Sequence, residues 1–149
     1  AMLTLHATGG AAMLEAAVTA ANGAPQPWLL GVTVLTSLDA EDLAATGVPA
    51  APDAQAERLA RLAVAAGLDG LVCSPHEIAG LRRALGSEPK LVVPGIRPHD
   101  ATDDQKRTMR PAEAMALGAD LLVIGRPITG APDPAAAAAA IARQLGLGA

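Results

Sequence analysis

The sequence predicts a parallel α/β architecture, and three observations carry that reading. Five short apolar runs, Met2–His6, Trp28–Leu35, Leu71–Cys73, Leu91–Val93 and Leu121–Ile124, alternate with alanine-rich segments of helical spacing. The runs are continuous in Val and Leu rather than alternating with polar residues, as in parallel strands covered on both faces. The intervening segments carry start and stop signals, so the order strand, helix, strand is punctuated along the chain.

The elements follow in order. Met2–His6 turns through Gly9-Gly10 into a helix over Ala11–Ala21. After the second run, a short helical piece near Glu41–Ala45 precedes a longer helix over Ala54–Ala66. The third run meets Ser74-Pro75-His76-Glu77, which reads as a capping box with proline at the first helical position, leading into a helical segment over Ile78–Leu85. The fourth and fifth runs are each followed by a helix, over Ala112–Leu117 and Ala135–Leu145, the last opened by Asp133-Pro134. Gly67, Gly86 and Gly118 follow helical segments, where a left-handed residue is wanted. Five such units fit an open doubly wound sheet or a piece of a (β/α)₈ barrel, which needs about 200 residues or more. Pattern alone does not separate them.

Composition bounds the function. The 149 residues include 11 Lys plus Arg against 15 Asp plus Glu, a formal charge of −4. One domain over residues 1–149 is expected, with 51% hydrophobic residues supplying a core and excluding disorder. The acidic balance argues against nucleic acid or an anionic membrane as partner. With one Trp and neither Tyr nor Phe, base-stacking platforms and aromatic cages are excluded. No apolar run approaches a membrane span, and the single cysteine, Cys73, fits a reducing cytoplasm.

The chemistry concentrates after the last two strands. Leu91–Val93 runs into Pro94-Gly95-Ile96-Arg97-Pro98, and Leu121–Ile124 into Gly125-Arg126-Pro127-Ile128-Thr129. Each places a glycine and an arginine just beyond a strand's C-terminal end. Glycine lets a backbone N–H approach an anion, and arginine offers a bidentate fork, so a phosphate site is expected there. Gly9-Gly10 lacks dinucleotide-binding spacing and reads as a turn. Cys73 reads as a small buried thiol, and His99, Asp100, Asp103 and Asp104 as a solvated loop rather than a metal site.

These motifs, taken together, carry a resemblance. Leu3-Thr4-Leu5-His6-Ala7-Thr8-Gly9-Gly10, Val32-Thr33-Val34-Leu35-Thr36-Ser37 and Leu68-Asp69-Gly70-Leu71-Val72-Cys73-Ser74 stand in order. Pro94-Gly95-Ile96-Arg97-Pro98, Asp104-Gln105-Lys106-Arg107 and Gly118-Ala119-Asp120 through Thr129 follow. Over essentially its whole length the chain resembles the C-terminal portion of orotidine 5′-phosphate decarboxylases, and the doubly wound alternative recedes. The resemblance implies a (β/α)₈ barrel of which these are strands four to eight. It implies that Thr36 contacts the pyrimidine and that Gln105 and Arg126 grip the 5′-phosphate beside the Gly125 N–H. It also implies that Arg97 lies near the same end and that His6 and Pro94 are pocket wall. It further implies OMP or UMP as ligand, a homodimer, and no metal or cofactor.

The sequence departs from the family in three places, the first being a loop from Arg97 to Gln105 about one residue shorter than in relatives. Arg110 stands before Pro111 where a threonine cap is common. The family's catalytic Asp-x-Lys-x-x-Asp motif is absent, and the only lysines are Lys90 and Lys106. No catalytic residue is therefore assigned in this chain. As an isolated piece it should keep part of the binding, lose decarboxylation, and expose open sheet edges. A non-catalytic nucleotide-binding half-barrel and a sugar-phosphate barrel are the competing expectations.

Overall fold

In the computed structural model, which describes residues 1–23, 25–98 and 107–147, five parallel strands form one sheet. They are β1 (Met2–His6), β2 (Trp28–Val32), β3 (Gly70–Val72), β4 (Lys90–Val93) and β5 (Leu121–Leu122), in the spatial order β1-β2-β3-β4-β5. Sequential order is the decisive feature. A doubly wound sheet reverses direction at a switch point, whereas a barrel adds each strand beside the last. The registers Val32↔Val72, Val72↔Val92 and Val92↔Leu121 bring the carboxyl ends of the strands to one rim.

Seven helices connect and cover the sheet among the described residues: α1 (Ala11–Ala21), α2 (Ala40–Ala45), α3 (Pro52–Ala65), α4 (Ile78–Leu85), α5 (Pro111–Ala116), α6 (Arg126–Thr129) and α7 (Pro134–Gln144). Leu14, Leu43, Leu59, Ile78 and Ala114, from the first five of these, join Leu29, Leu71, Leu91 and Val93 in one core cluster. The strand members alternate, so they mark one face of the sheet. Leu30 and Val92 are also buried but stand outside that cluster, on the other face. Helices on one face and a second apolar face within are the layering of a barrel wall.

The expected punctuation is present. Ser74 accepts from the His76 N–H at 3.3 Å, and Glu77 closes the box by accepting from the Ser74 N–H at 2.9 Å. The Asp133 carboxylate accepts from the Ala136 N–H at 2.9 Å. Gly67, Gly86 and Gly118 have φ of 92°, 76° and 106°. Arg110 occupies the N-terminal boundary of α5 and makes no side-chain capping bond.

Helix limits and the start of β4 shift by one or two residues, and four further differences shape the rim. β2 ends at Val32 rather than Leu35, because the ladder stops after the Thr33 N–H donates to Val72 O at 3.1 Å. β3 runs one residue earlier, over Gly70–Val72, although the Cys73 N–H still donates to Val92 O at 3.3 Å. β5 stops at Leu122, with one further bond from the Val123 N–H to Val93 O at 2.9 Å. The stretch expected to be loop after β5 is instead the helical turn α6. The Gly125 carbonyl starts it by accepting from Ile128 and Thr129 N–H at 2.8 and 3.0 Å. A two-residue edge strand and a four-residue helix lie below what hydrophobic period can resolve.

Candidate functional site

The site is assembled at the rim where the strands end. Thr36 arrives from the segment after β2, Pro94, Gly95 and Arg97 from the exit of β4, and Val123, Gly125 and Arg126 from the exit of β5. All seven line one cavity of about 190 Å³. Four of the residues singled out from the sequence, Thr36, Arg97, Gly125 and Arg126, therefore meet in one place. The fifth, Gln105, lies outside the described residues, as do His99, Asp100, Asp103, Asp104 and Lys106. A second cavity of about 190 Å³ adjoins the first through Thr36 and Pro94, and is otherwise walled by Val32, Val34, Leu35, Ser37, Val72 and Cys73. One compartment is thus rich in arginine and glycine and the next is mostly apolar.

Local geometry holds the β4 exit tightly. Gly95 has φ of 76°, and a Cβ there would lie 2.8 Å from Arg107 O and 3.5 Å from Thr36 Cγ2. No other residue fits so close an approach at that backbone angle. Residues on either side pair with the returning chain: the Met109 N–H donates to Gly95 O at 3.2 Å and the Arg97 N–H to Met109 O at 2.9 Å. Arg97 is 7% exposed, and its Nη1 donates to Ile96 O at 2.9 Å. At Gly125 the situation is opposite, since an added Cβ would meet nothing within 4 Å. Packing does not demand that glycine.

Sequence reading missed the role of Arg107, which entered only as part of a motif. Its guanidinium pairs with the buried Glu77 carboxylate and donates from Nη2 to Leu35 O at 3.0 Å. The available signal was Glu77 itself: a capping carboxylate in so apolar a helix start needs a cation. Burial pushes the Glu77 carboxyl above its ordinary value, against the pull of the Arg107 charge and the Ser74 N–H. Burial likewise pushes the Cys73 thiol far up, leaving it protonated and inert, as a structural thiol is. Pro94 does wall both cavities, whereas His6 is exposed and lines neither. Lys90 stands at the opposite end of the sheet, 3.3 Å from Asp120.

The family described as orotidine 5′-phosphate decarboxylase / HUMPS matches residues 1–141. The chain belongs to that family. It is 58% identical over 146 residues to the orotidine 5′-phosphate decarboxylase of Anaeromyxobacter sp. (strain K), covering 97% of this chain and 63% of that protein. It is 60% identical over 146 residues to the same-named protein of Opitutus terrae, covering 97% and 64%. Among solved structures, the orotidine 5′-phosphate decarboxylase of Lactobacillus acidophilus superposes with a TM-score of 0.79 at 36% identity, over 95% of this chain and 62% of that one. An uncharacterized conserved protein from Geobacillus kaustophilus gives 0.78 at 31% identity, over 97% and 63%. The fold is therefore that of the decarboxylase barrel, and this chain spans about 63% of the length of the relatives it matches. Among the described residues, no helix is long and apolar enough to cross a membrane.

Proposed function

We propose that the rim cavity binds the 5′-phosphate of a pyrimidine nucleotide, OMP or UMP, as the binding portion of an orotidine 5′-monophosphate decarboxylase. The observation that carries this reading is the convergence of Thr36, Arg97, Gly125 and Arg126 on one cavity. Arg126 offers a planar fork that matches two phosphate oxygens. The open space at Gly125 leaves its backbone N–H approachable, and Arg97 adds a second cation to the same compartment. Gln105 completes the grip from the segment between Arg97 and Arg107. The apolar compartment beside Thr36 and Pro94 suits a pyrimidine ring, with the threonine hydroxyl as its polar contact.

In the whole protein the reaction converts OMP to UMP and CO₂, without metal or cofactor, in a cytoplasmic homodimer. Residues 1–149 act there as one domain, the C-terminal part of the barrel. Catalysis needs contacts that strengthen in the transition state. The phosphate grip binds a remote part of the substrate, whereas the charges that would act at the carboxylate belong to the Asp-x-Lys-x-x-Asp motif, which this sequence does not contain. That absence favours the second reading for the chain by itself, a nucleotide-binding half-barrel without turnover.

Titration of the 149-residue chain with UMP and with uridine, followed by an OMP turnover assay, tests both readings. Binding of UMP well above that of uridine, with no loss of OMP, is the expected outcome. Equal affinity for the two would remove the phosphate grip, and measurable turnover would remove the half-barrel reading.

A further inference from the structure

Glu77 is 3% exposed, and both of its carboxylate oxygens are engaged. Oε2 accepts from the Ser74 N–H at 2.9 Å, and Oε1 receives Arg107 Nη1. A charge this deep requires a counter-charge, but a lysine or any single donor would serve that need. Arg107 does more with its fork. Past Thr33 the β2 ladder has ended, and Arg107 Nη2 takes the next two carbonyls, Leu35 O at 3.0 Å and Val34 O at 3.4 Å. The backbone just beyond Arg107 is bridged to the β4 exit through Gly95, Met109 and Arg97. His76 reinforces the joint, with Nε2 at 3.0 Å from Thr108 O. One guanidinium thus ties the residue before Thr36 to the start of α4 and to the segment alongside Arg97.

We propose that Arg107, held by Glu77, is a positioning residue of the rim site: it fixes Thr36 relative to Arg97, the two sides a pyrimidine nucleotide would span. The inference rests on the nucleotide-binding reading above and adds to it a residue that touches no ligand. Inorganic phosphate occupies only the arginine side, whereas UMP reaches both, so the two probes report differently on positioning and on general stability.

The test compares Arg107→Ala and Arg107→Lys with the parent 149-residue chain by calorimetric titration of UMP and, separately, of inorganic phosphate. R107A is expected to weaken UMP by about tenfold or more and phosphate by less than about threefold. R107K keeps the charge beside Glu77 but lacks the fork, so it should recover only part of the loss. Equal weakening of both probes, or full recovery with lysine, would overturn the proposal in favour of a stabilising charge pair. Glu77→Gln, which keeps an acceptor for Ser74, carries the same comparison if R107A does not fold. Amide exchange without ligand supplies the independent arm. Exchange should quicken at Arg97 in R107A while Leu29 and Leu91, bonded at the other end of the sheet, stay protected. Unchanged exchange at Arg97 overturns the positioning role whatever UMP does. If exchange changes but the parent binds neither probe, the nucleotide reading has failed, and ligand positioning falls with it.

Discussion

Two aspartates start strands in the same way. The Asp69 carboxylate accepts from the Leu29 N–H at 2.7 Å while its own N–H donates to Leu29 O at 3.0 Å. Asp120 repeats the pair with Leu91, at 2.8 and 3.0 Å. Asp120 also collects Arg82 Nη2 at 2.5 Å and Lys90 Nζ at 3.3 Å. Burial opposes its charge, but the Leu91, Lys90 and Arg82 donors together outweigh burial and hold the carboxyl below its ordinary value of 3.8. The folded state therefore holds this proton less tightly than the unfolded state. The contribution is full above the ordinary value and is lost as pH falls through the lower, folded one. Asp120→Ala should cost about 1–3 kcal/mol in urea unfolding at neutral pH, and parent and variant should converge in acid. A cost that persists undiminished in strong acid would remove the carboxylate from the explanation. The glycines at the rim give a second prediction at this scale. Gly95→Ala, strained by its positive φ and by contact with Arg107 O, should destabilise by about 1–3 kcal/mol. Gly125→Ala should leave stability within about 0.5 kcal/mol yet weaken UMP, because the new Cβ occupies space next to the N–H. Unfolding midpoints and UMP titrations of both variants decide it.

At the scale of elements, helix ends were legible because they are local. Ser74, Glu77, Asp133 and Gly118 act through residues two to four positions away, so their spacing in the sequence carries the information. Asp133→Ala should accordingly lower the unfolding free energy by about 1 kcal/mol through the loss of its cap on α7, read from a shifted urea midpoint. Strand ends were less legible because they are set across the chain. Val34 and Leu35 continue the apolar run of β2, but their carbonyls belong to Arg107, a residue more than 70 positions away. The same holds for the candidate site. Glycine and arginine after two strands raised the expectation of an anion site, whereas the Glu77–Arg107 joint, made between a helix start and a distant segment, left no periodic trace. The edge strands behave differently from the interior ones. Met2, Leu3 and Trp28 near one edge and Val123 beyond the other are 51%, 52%, 42% and 49% exposed. Apolar edges with open backbone groups invite association. Leu3→Lys should reduce the concentration dependence of the apparent mass in light scattering, and an unchanged profile would place association elsewhere.

At the scale of the molecule, the alternation of strands and helices fixed the class but not the architecture. Strand order decides between a barrel wall and a doubly wound sheet, and it depends on which strands neighbour each other in space. The collected motifs supplied what periodicity lacked, and the sequential sheet with its one-sided helix layer agrees with them. That layout brings every βα exit to one rim and the strand-starting aspartates to the other. The proposed binding residues and the strand-starting aspartates thus occupy opposite ends of the same strands. The most direct test of this division is the backbone shift map of the isotopically labelled chain titrated with UMP. Shifts concentrated at Thr36, Arg97, Gly125 and Arg126, with Asp69 and Asp120 unmoved, are expected. Shifts centred on the aspartate end, or none at saturating UMP, would contradict a nucleotide site at the rim.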